Sequence, residues 1–289
     1  MSQLTDYAEN RLVDMLRAQA WSLGASLFAG LASAASDAAI TEITFTGYAR
    51  VGISRALASW AGTQGAGSTT ASSGSSHTSS NNAAINFGTA GSAGSAPVTH
   101  LVLFDAASAG NAVCFIPLPS GTLTIANADP VSFAIGTISF SLGLAGGCSD
   151  YLANKLIDFV FRGQAYSFPA TFYEALFTAA PGNAGGGTEV SGGSYARVAV
   201  VGSLVNLAGT QGAGTTVAST GSSGKTSNNA AITFPGPTAP WGALTSCGEY
   251  DAATVGNLLF YAALNTPRTV ASGASPPSIA AGLRTITFQ

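Results

Sequence analysis

Four matched pairs of acidic residues are the side chains of this sequence best suited to acid–base chemistry. The pairs are Asp6 and Asp150, Asp14 and Asp158, Glu42 and Glu189, and Asp105 and Asp251. Two carboxylates about 5–9 Å apart can hydrolyse a glycosidic bond. Structural roles are favoured instead. Asp6 and Asp150 suit a helix N-terminus, where the helix dipole stabilises an acid. Asp105 and Asp251 lie in Asp-Ala-Ala-x-x-Gly-Asn, which is typical of a turn in which Asp bonds its own backbone.

Histidines and cysteines offer little for nucleophilic or metal chemistry. The chain has two histidines, His77 and His100, and neither lies near a recognisable nucleophile motif. The cysteines, Cys114, Cys148 and Cys247, are odd in number and lack metal-ligand spacing, so they are interpreted as buried thiols. The sequence therefore predicts a protein that is not an enzyme and that uses no metal and no cofactor.

Two matched arginines each follow a tyrosine by two positions. In a chain with 8% charged residues, Arg50 and Arg197 are expected to pair with Glu42 or Glu189, or with the turn aspartates. The alternative is that they bind an acidic ligand.

The composition favours an ordered protein with a neutral surface. The hydrophobic share is 46%, the net charge is −3 and there are 36 glycines, whereas disorder normally needs low hydrophobicity and high charge. The 10 Lys and Arg form no basic stripe, so nucleic acid is not an expected partner. The apolar run from Ala18 to Ala35 is interrupted by Gly24, Ser26 and Gly30 and follows acidic residues, so neither a membrane span nor a cleaved leader is expected.

The chain is a tandem duplication. Ala61-Gly-Thr-Gln-Gly-Ala-Gly67 recurs residue for residue at 208–214, and Asn81-Asn-Ala-Ala-Ile85 recurs at 228–232. Matching residues continue on both sides with few insertions or deletions. The repeat predicts two domains, residues 1–145 and residues 146–289.

Each copy is predicted to be a β-sandwich or jelly-roll-like domain opened by a short N-terminal α-helix, so the fold class is mainly β. Thr5 and Ser149 are suitable N-caps for the helices. Short strand-like runs follow, among them Ala196–Val201, Ala230–Phe234, Ala243–Tyr250 and Leu258–Leu264.

Two long Gly/Ser/Thr stretches, residues 62–80 and 209–227, match closely between the copies. A linker would drift in sequence, so both stretches are expected to be ordered loops that contact another molecule. The polar residues expected at such a contact are Gln64, Asn81, Asn82, Gln211, Asn228 and Asn229.

A family resemblance rests mainly on the second copy. Its motifs are Tyr151–Leu156, Pro169–Tyr173, Gly185–Val190, Gly193–Arg197, Asn229–Phe234, Trp241-Gly242, Asp251–Ala253 and Gly256–Tyr261. They resemble a family of small virion proteins of tailed bacteriophages, described as structural or tail-fibre-like, over nearly all of residues 149–289. The first copy is similar but lacks the Gly-Gly-Gly-Thr-Glu and Trp-Gly segments. The resemblance implies a virion component.

The favoured function is a capsid cement or decoration protein on the outer head surface that staples neighbouring subunits. Its expected partners are the major capsid protein and other copies of itself, without nucleic acid or membrane. A tail or fibre component is the alternative, with exposed aromatics such as Trp60 or Trp241 lining a site for host surface sugars. A surface-glycan hydrolase and a bacterial surface adhesin are less favoured.

Overall fold

The computed structural model describes residues 3–142 and 147–288. Within these residues the protein is mainly β, with sandwich-like sheets and two similar halves that each begin with a short helix. The predicted fold class is therefore confirmed. In the described part of the chain, neither helix is long and apolar enough to cross a membrane.

Both copies follow the same order of elements. The first contains α1 (Asp6–Leu16), β1 (Ser26–Ala35), β2 (Ile40–Glu42), β3 (Val51–Ser54), β4 (Thr78–Ser80), β5 (Ile85–Thr89), β6 (His100–Phe104), β7 (Ala112–Pro117), β8 (Pro130–Phe133) and β9 (Ser139–Ser141). The second contains α2 (Asp150–Arg162), β10 (Thr171–Ala179), β11 (Thr188–Glu189), β12 (Val198–Val201), β13 (Lys225–Ser227), β14 (Ile232–Thr233), β15 (Gly242–Tyr250), β16 (Leu258–Val270), β17 (Ser278–Ile279) and β18 (Thr285–Thr287). The four strand-like runs predicted above overlap β12, β14, β15 and β16.

One five-stranded antiparallel sheet lies at the centre of each copy. Its strand order is β2-β1-β6-β7 in the first copy and β11-β10-β15-β16 in the second, with β3 or β12 also pairing the central strand. Both sheets have the same register, since Phe28 pairs with Phe104 and Tyr173 with Tyr250. The smaller ladders β4-β9 and β5-β8 are repeated as β13-β18 and β14-β17.

Apolar positions along the central strands and the helices form the cores. In β10 the side chain of Phe172 is buried while that of Tyr173 is only half-buried, because successive residues of a strand point to opposite faces. Residues 174–177 are all buried, so both faces of the strand are covered there. In α2, Leu156, Ile157 and Phe161 are buried, so more than one face of this helix is covered.

The predicted N-caps begin the helices. The hydroxyl of Thr5 accepts a hydrogen bond from the backbone N–H of Ala8, and that of Ser149 accepts one from Leu152 at 3.1 Å. Each cap satisfies an N–H group that has no partner within the helix.

The compact units of the structure are not continuous in the chain. Of the described residues, unit 1 comprises 3–9, 22–142 and 154–166, and unit 2 comprises 10–21, 147–153 and 167–288. Each unit therefore contains the strands of one copy and most of the helix of the other copy. We call α1 and α2 the exchanged helices. The predicted domains, 1–145 and 146–289, describe the sequence repeat, and their boundary lies outside the described residues.

Candidate functional site

The long loops of the two copies are the features that sequence reasoning singled out for contact with other molecules. We call residues 62–80 the first loop and residues 209–227 the second loop. Most of each loop is irregular backbone, and each ends in a short strand, β4 or β13. Each loop receives an arginine from the exchanged helix of its unit.

In unit 1, Arg162 at the end of α2 holds the first loop. Its side chain is fully buried. It donates hydrogen bonds to the carbonyl oxygens of Trp60 at 2.9 Å and Thr70 at 2.6 Å. It also pairs with Asp158 at 2.6 Å, one turn earlier on the helix. Asp158 accepts hydrogen bonds from the backbone N–H and the hydroxyl of Ser72 at 2.9 and 2.6 Å. The ion pair is thus embedded in loop backbone.

Unit 2 repeats this arrangement with Asp14 of α1 and with Arg17, the residue that follows α1. Arg17 is fully buried and donates to the carbonyl oxygen of Leu207 at 2.9 Å. It pairs with Asp14 at 2.7 Å, and Asp14 accepts from the hydroxyl of Ser219 at 2.7 Å and from its N–H. Because a guanidinium presents five N–H donors in a fixed plane, one arginine can fix several loop segments at once.

Four of the six polar residues expected at a contact make hydrogen bonds to the long loop of their own copy. Gln64 donates to the hydroxyl of Thr70 at 3.0 Å, and Gln211 donates to the carbonyl oxygen of Ala218 at 2.8 Å. Asn82 and Asn229 accept from the N–H groups of Gly67 and Gly214 at 3.1 and 3.0 Å. These bonds order the loops from within. A role for these residues in contacting another protein stays a prediction.

The other two residues, Asn81 and Asn228, are buried. Asn81 donates to the carbonyl oxygens of Ala83 and Ala134 at 2.8 and 2.9 Å and accepts from the N–H of Ile138 at 3.0 Å. Asn228 makes the same three bonds with Ala230, Ala280 and Arg284. Their side chains join two backbone segments, which explains why both copies have asparagine there.

The tips of the loops are exposed and uncharged. Residues 64–67 and 211–214, which carry the repeated Gln-Gly-Ala-Gly, lie on the surface. Small side chains leave backbone N–H and C=O groups accessible there. An ordered, neutral loop of this kind suits contact with a protein surface by shape and by backbone hydrogen bonds.

The comparison with protein families gives a match over almost the whole chain. The family described as "Podophage GP4 fiber I protein gp80" matches residues 3–141 and, a second time, residues 147–287. The chain belongs to this family. One family unit corresponds to one copy, so the family is present here as a tandem duplication, and the chain is a phage virion structural protein. No curated protein matches the chain.

The matched arginines Arg50 and Arg197 of this family member have structural partners. Arg50 pairs with Glu42 at 2.8 Å and lies 3.3 Å from the centre of the Phe104 ring, and Arg197 pairs with Glu189 at 2.7 Å. The predicted arginine–glutamate pairing is confirmed. Burial alone would raise the pKa of Glu42, but hydrogen bonds from Arg50 and Tyr48 lower it overall.

The turn aspartates also behave as predicted, because Asp105 and Asp251 each accept the backbone N–H six residues later at 2.7 Å. Cys114 and Cys148 are buried free thiols and Cys247 is partly buried. Within residues 3–142 and 147–288, no group of three or more His, Cys, Asp or Glu could hold a metal ion.

The expectation that Trp60 and Trp241 are exposed is wrong. Trp60 and Trp241 are buried, at 0% and 4% exposure, so they line no exposed sugar site. Packing against neighbouring rings, such as Phe161 for Trp60 and Tyr195 for Trp241, explains their burial.

The sequence did not lead to a prediction for the two arginines that order the loops. Their signal is the matched Arg-x-Gln-Ala at Arg17 and Arg162.

Loop geometry leads to a prediction at Gly74 and Gly221. A methyl group at either position would meet the backbone of Thr63 or Thr210 within the same loop. Backbone cannot move aside as a side chain can, so G74A and G221A are each expected to lower the free energy of unfolding by about 1–3 kcal/mol. Urea denaturation of the full chain measures the loss. G24A is the matched control, since its nearest contact would be 3.8 Å away. Equal stability of G74A and G24A would contradict the loop geometry.

Proposed function

We propose that this protein is a fibre component of a phage tail. The observation that carries the proposal is that each of the two copies matches the podophage fiber I family over nearly its full length. The resemblance implies a virion component, and the description of the matching family, which names a fibre, supports a place on the tail.

The geometry supports an ordered building block within each unit. Each unit includes most of the helix of the other copy, and the arginine at the end of that helix orders the long loop of the unit. The two loops are fixed internally and expose neutral tips. With 8% charged residues, the surface is poorly protected against association, which suits a subunit that packs against other virion proteins.

In this role the partners are other virion proteins, including further copies of the chain. The exposed loop tips would make the contacts, because they occur twice and their loops are held in place by hydrogen bonds. Two equal contact sites in one chain can bind two related sites on a partner at once. The second contact then forms within the complex, so the overall affinity exceeds that of either contact alone.

A capsid cement on the head surface is the second candidate. The observation that favours it is the same duplication, since a chain with two similar binding units can bridge two equivalent shell subunits. Both candidates predict a virion protein, and they differ in its position on the particle.

Electron cryomicroscopy of purified particles, with and without a bound Fab fragment raised against this chain, separates the candidates. A fibre component predicts Fab density on appendages of the tail. Fab density repeated over the icosahedral shell would overturn the fibre proposal and support the cement. Particles without any Fab density would contradict both.

A further inference from the structure

Unit 2 contains a buried cluster of charged side chains outside the loop site. Glu174 on β10 and Glu249 on β15 are each 2% exposed, and Arg284, just before β18, is 6% exposed. Arg284 Nε lies 3.2 Å from Glu174 Oε2, and the same guanidinium pairs with Glu249. Two carboxylates therefore face one buried cation.

A cavity of about 40 Å³ adjoins the cluster. Its other titratable lining groups are Cys148, Cys247 and Tyr261, and Asp150 acts on Cys148 and Tyr261 from the start of α2. None of these supplies a second positive charge. Glu249 Oε1 and Arg284 Nη1 are buried there without a hydrogen-bond partner, and the cavity has room for water.

The charges of the cluster do not balance. An arginine keeps its proton in proteins, so two ionised glutamates would leave one surplus negative charge in the interior. An unpaired buried charge is costly, and a buried acid avoids the cost by binding a proton. Burial raises the pKa of Glu174, although Arg284 opposes the change, and the pKa of Cys247 rises to about 12 through burial and the neighbouring Glu174.

The first copy shows that the fold does not need these charges. The strand register places Ala29 opposite Leu103 where the second copy has Glu174 opposite Glu249. Ile138 corresponds to Arg284, since both donate their N–H to the matched asparagine. Ala29, Leu103 and Ile138 are all fully buried. The same place in the fold is thus apolar in one copy and ionic in the other.

We propose that Glu174 and Glu249 share one bound proton at neutral pH, which makes this cluster of unit 2 a proton-binding site at a place where unit 1 is apolar. The shared acid has a higher pKa in the folded state than in the unfolded chain. Its contribution to stability is complete below the unfolded value near 4.5. That contribution is lost as the pH rises through the folded value. Unit 2 is therefore weakened by alkali at this cluster.

Calorimetry counts the proton directly. Unfolding of the full chain at neutral pH is measured in buffers of different ionisation enthalpy, for the natural protein and for the triple variant E174A/E249L/R284I. The variant carries the first copy's residues at all three positions. The natural protein is expected to release about one more proton on unfolding than the variant, because the unfolded glutamates ionise. Equal proton release would overturn the proposal.

Two further measurements keep the test decisive if the triple variant does not fold. In E249Q the surplus charge is gone, so its proton release is expected to fall by about one relative to the natural protein. Infrared spectroscopy of the folded natural protein, with glutamate labelled by ¹³C, is expected to show a protonated-carboxyl band at neutral pH. Absence of that band would overturn the proposal without any variant.

Discussion

Replacing Arg162 by alanine is expected to lower the free energy of unfolding by about 3–5 kcal/mol, the usual cost of breaking a buried ion pair. The substitution leaves Asp158 without its cation in the interior and removes the donors to the carbonyl oxygens of Trp60 and Thr70. R17A is expected to have a similar effect in unit 2, where Asp14 and Leu207 lose the same contacts. Urea denaturation followed by tryptophan fluorescence measures both variants.

R268A is the matched control. Arg268 is exposed and donates one hydrogen bond, to the carbonyl oxygen of Ser275. Its replacement is expected to change stability by less than about 0.5 kcal/mol, as is usual at the surface. If R162A were no more destabilising than R268A, Arg162 would not anchor the first loop.

Replacing Phe161 by alanine is the second substitution with a large expected effect, about 3–5 kcal/mol. Phe161 belongs to the exchanged helix α2 and is buried in unit 1. Its ring centre lies 4.6 Å from that of Phe140 and 5.3 Å from that of Trp60. Removing the ring leaves a cavity between the helix and the strands that surround it. Thermal unfolding by calorimetry measures the loss.

I135A serves as the control for this substitution, because Ile135 is 62% exposed in the same unit. It is expected to unfold at nearly the temperature of the natural protein. If F161A unfolded at the same temperature as I135A, α2 would not pack into the core of unit 1.

Much of the fold could be predicted because it depends on local sequence. The helices follow from Thr5 and Ser149 as caps before apolar residues at helical spacing, and these caps make the expected bonds. The pairing of Arg50 with Glu42 and of Arg197 with Glu189 could be predicted because the chain has few charged residues. Each arginine therefore had few acids with which it could pair.

The helix exchange could not be predicted, for a physical reason. Both loops begin with Gly-Thr-Gln-Gly-Ala-Gly, so each offers the same acceptors to an arginine. Arg17 directly follows α1 and Arg162 ends α2, and each pairs with an aspartate three or four residues earlier. Sequence symmetry therefore leaves open which helix occupies which unit, and only the three-dimensional path of the chain decides it.

The buried charges of unit 2 could not be predicted from the sequence either. Glu174 lies in β10 and Glu249 in β15. Acidic side chains in a strand are normally on its exposed face, because they are rarely fully buried. Their burial depends on Arg284, which is distant in the chain, and a single sequence gives no sign of such a pairing.

Hydrogen–deuterium exchange on R162A and R17A tests the helix exchange most directly. If each helix completes the unit of the other copy, R162A will speed up exchange in the first loop, residues 62–80, and leave the second loop unchanged. R17A will do the reverse, in residues 209–227. Faster exchange of the second loop in R162A, or of the first loop in R17A, would show that each helix stays with its own copy and would contradict the account.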